Sequence, residues 1–274
     1  MLPKLSKTQI IILGSLALIA VSAALWALFG GGEKPSKDSE ANSSPGPSSE
    51  QPQDLPPELS IVESSEADVI RNSFSEVIFR YVVSLPEVSG GNPDAAEKIN
   101  AYYKALREGT TAGEIARIKG LSETESDSAS FLAYSYSEDF EIELNDRHTL
   151  SIRRIIDAFE GGAHSHTSIF FDVFSLQTGD RLALSDLFNC DEGEYMPVIM
   201  GRVSEMIKAD PNMAESFFAV EPDELTEVFN RQNFGLSGDS LIIFFQAYDI
   251  APNASGIPEF HINLADISDI LAPR

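Results

Sequence analysis

His164 and His166 have the spacing that most readily suggests chemistry. They lie two residues apart in Gly161-Gly162-Ala163-His164-Ser165-His166, so an extended backbone there points both imidazoles to one face. Two imidazoles on one face could begin a zinc site, whose third ligand must come from elsewhere in the fold, with His148 and His261 as the candidates. The plainer reading has His164 bonding backbone groups in a tight glycine turn and His166 at the surface, and no metal or cofactor is assigned. Cys190 sits among Asp191 and Glu192, whose negative charge disfavours a thiolate and makes it a poor nucleophile. No G-x-S-x-G elbow or S-x-x-K motif occurs in the sequence. Asp191-Glu192-Gly193-Glu194 lacks the spacing of a calcium loop. Glu138, Asp139, Glu141 and Glu143 read as the solvated face of a strand and its flanking turn. With 43 acidic residues in the chain, a carboxylate pair for glycoside cleavage stays open as an alternative.

The glycines say more. Gly161-Gly162, between two strand-like segments, point to backbone with positive φ or to close approach by another chain. Tyr248-Asp249-Ile250-Ala251-Pro252 follows a buried-looking strand and Gly256 closes the loop, which reads as a recognition surface or a structural crossover. The candidate binding residues are therefore Gly161, Gly162, His164, His166, Tyr248, Pro252 and Gly256, with no catalytic or metal-ligating residue assigned.

The elements that must position these residues follow from periodicity. Val69 to Val83 reads as one or two strands. Asn92-Pro93 supplies a cap and first position for a helix whose face is Ala96, Ile99, Tyr103 and Leu106, and Gly109 ends it. Residues 121–130 read as a polar loop. Phe131 to Leu144 alternates, Asn145-Asp146 turns, and Thr149 to Phe159 returns. Thr167 to Leu176 and Arg181 to Leu184 flank the hairpin signature Gln177-Thr178-Gly179-Asp180. Ser185 caps a short turn ending at Phe188. One helix is expected over 194–208 and another from Asp210-Pro211, carrying Met213, Phe217 and Phe218. A hairpin follows, with Asn233 to Leu236 and Leu241 to Phe245 around Ser237-Gly238-Asp239. A strand at Glu259 to Ile262 and a helix over 264–271 close the chain. Strands segregate from helices without βαβ alternation, so the expected class is α+β, with antiparallel sheets and a few packed helices.

Composition and charge set the location. The chain has 274 residues, 43% hydrophobic and 23% charged, with one cysteine and a formal charge of −24. That is ordinary globular composition, too poor in cysteine for a disulfide framework. The negative charge argues against nucleic acid and for cationic partners. Ile10 to Phe29 is an uncharged run of 20 residues, long enough for a helix to cross a bilayer. Lys4 and Lys7 precede it, which places the N-terminus in the cytoplasm and the rest outside. A cleaved signal peptide, cut after Val21 and Ala23, is the rival, although the apolar run continues to Phe29. The organisation expected is a short cytoplasmic tail (1–9), a transmembrane anchor (10–29), a flexible Ser/Pro-rich tether (30–57), an N-terminal α+β part (58–160) and a C-terminal one (161–274). Residues 58–274 carry −23 of the formal charge.

Several segments then become familiar in combination. They are Phe159-Glu160-Gly161-Gly162-Ala163-His164, Phe171-Asp172-Val173 with Leu176-Gln177-Thr178-Gly179, Leu182 to Phe188, Asn233-Phe234, and Tyr248-Asp249-Ile250-Ala251-Pro252 through Gly256-Ile257. Their order resembles the extracytoplasmic module of the RsiV type of lysozyme-sensing anti-sigma factor. The non-catalytic N-terminal part of PdaC-type peptidoglycan deacetylases shares this module. The resemblance spans roughly 65–272. It implies an α+β ectodomain on one membrane anchor in a bacterial envelope, with lysozyme or another basic wall-active protein, or peptidoglycan, as partner. Neither a cytoplasmic anti-sigma domain nor a deacetylase domain is expected. Asn253 follows Pro252 where the family loop is expected to carry an aromatic residue. The alternatives are an envelope hydrolase working through His164 and His166 or through a carboxylate pair, and a structural envelope protein with no specific ligand.

Overall fold

The computed structural model describes residues 59–128 and 130–273. Residues 1–9, the apolar run at Ile10–Phe29 and the Ser/Pro-rich stretch 30–57, expected as tail, anchor and tether, lie outside the described residues. Among the described residues no helix is long and apolar enough to cross a membrane.

Two sheets organise the chain. The larger has the order β1 (Leu59–Arg71), β2 (Val77–Gly90), β3 (Tyr134–Asn145), β4 (Thr149–Phe159), β5 (His166–Ser175). The smaller has the order β6 (Phe234–Ser237), β7 (Ser240–Phe244), β8 (Glu259–Asn263). Between β2 and β3 run α1 (Pro93–Leu106), a π-helical turn (Arg107–Thr111) and α2 (Ala112–Glu125). Between β5 and β6 come a 3₁₀ turn (Leu184–Leu187), α3 (Glu192–Ala209), α4 (Pro211–Ser216) and α5 (Pro222–Val228).

The class is α+β as expected, but the larger sheet is mixed rather than antiparallel. β2 and β3 pair in parallel, with Phe79 opposite Tyr134 and Val83 opposite Glu138. The helical crossover carries the chain back to the end where β2 began, and a parallel pair needs such a return. Asn92 caps α1, its side chain accepting from the Asp94 N–H at 3.1 Å, and Pro93 takes the first turn. Gly109 does not end the helix. It lacks the positive φ of a C-capping glycine, and the ladder slips through the π turn into α2, which reaches Glu125 and absorbs half of the expected polar loop. Arg181 to Leu184 is not a strand either. Arg181 forms an isolated bridge with Phe174 before the 3₁₀ turn, where Ala183 rather than Ser185 holds the cap position and its N–H donates to Asp186 at 2.8 Å.

Side-chain alternation builds the layers. Ile99, Tyr103 and Ile118 pack with Phe79, Val83, Ile152 and Phe174 on one face of the larger sheet. In β7, Leu241 and Ile243 face Ile199, Val203 and Leu225 of α3 and α5. Ile242 and Phe244 point the other way, onto Ile169 and Phe171 of β5. Gly235 makes that seam possible, since a Cβ there would lie 2.1 Å from the Phe171 ring. Leu236 N donates to Ser151 Oγ at 3.1 Å, and Arg153 grips Glu259 of β8 through two bonds of 3.1 and 2.6 Å.

Candidate functional site

Strand directions gather the loops. β2 and β3 begin, β4 ends and β5 begins at the same end of the larger sheet. The β1–β2 turn (72–76), the α2–β3 loop and the β4–β5 hairpin (160–165) therefore share one rim. Gly161 and Gly162 both adopt φ of +87°, as their sequence position predicts. Gly161 also lies against Tyr134, whose hydroxyl would stand 3.2 Å from an added Cβ. Arg117 of α2 anchors the hairpin by paired bonds to Glu160 of 2.8 and 2.6 Å. That guanidinium holds the Glu160 carboxyl below the usual carboxylate range, and the charge of His166 pulls the same way. His164 and His166 are exposed.

The second loop is moored to the same strand. The Gln246 side chain donates to Ile169 O at 2.6 Å and accepts from Ile169 N at 3.3 Å, three residues along β5 from His166. Asp249 accepts from Gln246 N at 2.8 Å, and Phe218 N donates to Ile250 O at 2.7 Å. Held this way, Tyr248 has φ of +72° and leaves 64% of its surface exposed. A bulky residue rarely adopts that backbone conformation, and the turn bonds keep it there. Pro252 is half-buried ahead of a short 3₁₀ turn, and Gly256 is exposed with φ of +70°. Asn253, where the resemblance anticipates an aromatic residue, is exposed.

The metal alternative finds no third ligand in His148. It precedes β4, whose 11 residues separate it from the Gly161–His166 hairpin by roughly 35 Å at strand rise. Among the described residues no group of three or more His, Cys, Asp or Glu could hold a metal ion. Burial, and then the carboxylates of Glu194, Asp191 and Asp269, push the Cys190 thiol up, in the direction its neighbours predict.

Two features are absent from the sequence reading. Glu138 does not share a solvated face with Asp139 and Glu141; alternation turns it to the helix side, where it is buried. Arg154, also buried, donates to Glu138 at 2.5 Å and to Asp172 at 2.7 Å. Thr111 of the π turn and Tyr136 donate to Glu138, Tyr102 donates to Asp172 at 2.6 Å, and Arg181 stands 3.3 Å from Asp172. This network satisfies its charges internally and ties three strands to α1 and the π turn. The other feature is Phe74, 80% exposed at the β1–β2 tip. A phenylalanine inside the turn-forming run Asn72-Ser73-Phe74-Ser75 was the available signal.

An α+β module of two sheets with locked, exposed loops along one sheet end is thus the class that fold and site define. The family described as "Deacetylase PdaC" matches residues 73–167, from the β1–β2 tip to the start of β5. The family described as "Protein of unknown function (DUF3298)" matches residues 185–265. The "Anti-sigma-V factor RsiV" of Bacillus subtilis (strain 168) is 30% identical over 142 residues, 50% of this chain and 48% of that protein. The chain carries a module of the RsiV/PdaC type, and the match spans about half the length of that relative. Two crystal structures share the fold. A DUF3298 family member from Bacteroides fragilis superposes with a TM-score of 0.63 at 16% identity, covering 78% of this chain and 94% of its own. One from Pseudomonas aeruginosa PAO1 gives 0.50 at 17%, covering 78% and 95%.

Proposed function

We propose that this protein is a membrane-tethered, extracytoplasmic binding module that engages a cationic wall-active protein such as lysozyme, with cell-wall material as the second reading. The observation that carries it is the rim itself. Loops locked by Arg117–Glu160 and by Gln246–Ile169 hold exposed groups in fixed positions on a region of formal charge −23. Preorganised loops lose little freedom on binding, and complementary charge raises the rate of encounter. Most lysines and arginines of the described residues already sit in ion pairs, Arg154, Arg181 and Arg231 among them, so the surplus carboxylates face solvent. Gly161, Gly162, His164, His166, Tyr248, Pro252 and Gly256 are the proposed contact residues. Residues 10–29 would anchor the chain, 30–57 would tether it, and the N-terminus would lie in the cytoplasm. The likeness to RsiV and to the PdaC family supports an envelope setting.

Calorimetry of the full-length chain with hen egg-white lysozyme at low and moderate salt tests the reading. Heat of binding at both, reduced by Tyr248→Ala, is expected. No heat at either salt removes lysozyme, and co-sedimentation with purified peptidoglycan then decides for the second reading. The enzyme alternative predicts release of reducing sugar or acetate from that same peptidoglycan.

A further inference from the structure

The β1–β2 tip lies outside the loops assigned above and has features of its own. Its backbone is braced by hydrogen bonds. Asn72 Oδ1 accepts from Phe74 N and Glu76 N at 3.0 Å each, Asn72 N donates to Glu76 O at 3.0 Å, and Arg71 Nη1 donates to Ser75 O at 2.8 Å. Ser75 takes φ of +65° to close the turn. The product is a rigid projection carrying Phe74, the most exposed of the large hydrophobic residues described. Against it, between the tip and the α2–β3 loop, lies an open groove of about 460 Å³. Phe74, Phe131, Glu76, Asp127, Ser126 and Ser128 are among its lining residues, and Glu76 also accepts from the Asn72 side chain at 3.0 Å. No lysine or arginine lines it among the described residues. Leu132, 58% exposed, follows Phe131 in the same loop.

Aromatic residues and carboxylates around one groove have a specific chemical complement. A guanidinium or ammonium group is attracted to a ring face and to carboxylates together, whereas an anionic lipid or a phosphate meets repulsion from Glu76 and Asp127. We propose that the Phe74 groove is a docking site for an arginine- or lysine-bearing segment of a cationic protein partner, with Phe74 as its apolar anchor. The identity of the partner rests on the function proposed above. The groove chemistry does not, because it is read from the tip and the α2–β3 loop alone.

The test uses hexa-arginine peptide and hen egg-white lysozyme as probes of the full-length chain, by calorimetry at moderate salt. Phe74→Ala changes no charge, so the general attraction of an acidic surface for a polycation is unaltered. It is expected to weaken hexa-arginine binding by about tenfold, the scale of an interface anchor. Asp127→Asn should weaken it as well, and Val62→Ala on the exposed part of β1 should leave it unchanged. Equal hexa-arginine affinity for wild type, Phe74→Ala and Asp127→Asn overturns the groove. If lysozyme still binds in that case, the proposed function survives without it. Phe74-dependent hexa-arginine binding with no lysozyme binding by wild type supports the groove and removes lysozyme. A Phe74→Trp chain gives an independent signal, measured against the wild-type tryptophan background. Its emission should change on adding hexa-arginine. A blue shift seen only on adding vesicles containing phosphatidylglycerol assigns the tip to lipid and overturns the proposal.

Discussion

Arg154, on β4 of the larger sheet, is buried with two buried carboxylates. Glu138, Arg154 and Asp172 lie on β3, β4 and β5, and their register sets them on one diagonal. Ile156, two residues from Arg154, faces Glu138, and Ile152, two residues the other way, faces Asp172. Removing one partner from a buried ion network costs about 3–5 kcal/mol because an uncompensated charge remains. Arg154→Met is therefore expected to destabilise the fold by about that much in urea denaturation. Removing the exposed Arg202–Glu205 pair should change stability by less than about 1 kcal/mol. Tyr102 gives the same cluster a pH signature. Burial and the Asp172 charge raise its hydroxyl to about 12. An acid whose pKa is higher folded than unfolded keeps its proton in the folded state while the unfolded chain loses it. Its contribution is thus complete below pH of about 10, the unfolded value, and is lost as pH rises to about 12. Tyr102→Phe should flatten the fall in stability across that window, measured by urea midpoints at several alkaline pH values.

At the scale of elements, the β4–β5 hairpin depends on a contact distant in sequence. Arg117→Gln removes both bonds to Glu160, and faster amide exchange is expected over residues 160–166 with little change in the melting temperature, because the pair is partly exposed. Glu160 has its pKa lowered in the fold, so the anchoring is present above the ordinary carboxylate range and is lost as pH falls through the folded value. Exchange in the hairpin should therefore rise in acid for the wild type and stay high throughout for the variant. Gly235→Ala would drive a methyl into the Phe171 ring. Overpacking of this kind costs about 1–3 kcal/mol and should appear as a lower denaturation midpoint. The elements differ in how legible they were. Thr149 to Phe159 and the 233–245 hairpin came out at or near their observed bounds because alternation and turn residues are local signals. So was the cap of α1. The π turn was not, since Gly109 is a helix terminator by composition and only its right-handed φ shows otherwise. Nor was the burial of Glu138, because alternation offers two faces and the parallel β2–β3 pairing, with α1 and α2 covering one of them, decides which is inside. For the loops at Gly161 and Tyr248 the sequence left two readings each, positive φ or close approach for the glycine pair and recognition surface or crossover for the other. The positive φ of Gly161 and Gly162 and the exposure of Tyr248 came from the fold. That the two loops share one strand as their mooring is a long-range fact carried by Gln246 and Ile169.

Charge acts over the whole molecule and has a separable consequence. The −23 on residues 58–274 generates a field that reaches about 8 Å at physiological ionic strength and about 30 Å at 0.01 M. Attraction over that range steers a basic protein toward the surface before any loop touches it, and so enters the association rate. On the function proposed above, the rim contacts would act after encounter and enter mainly the dissociation rate. The two can be told apart by surface plasmon resonance with lysozyme over a salt series. The association rate should fall steeply as salt rises from low to physiological values, while the dissociation rate changes little. Tyr248→Ala should show the opposite pattern, with a faster dissociation rate and an association rate close to wild type at each salt. A dissociation rate that accelerates with salt as steeply as association slows would mean that surface carboxylates, rather than the shaped loops, hold the complex together. The distinction matters because an acidic surface alone attracts any basic protein, whereas selection among them needs contacts of defined shape.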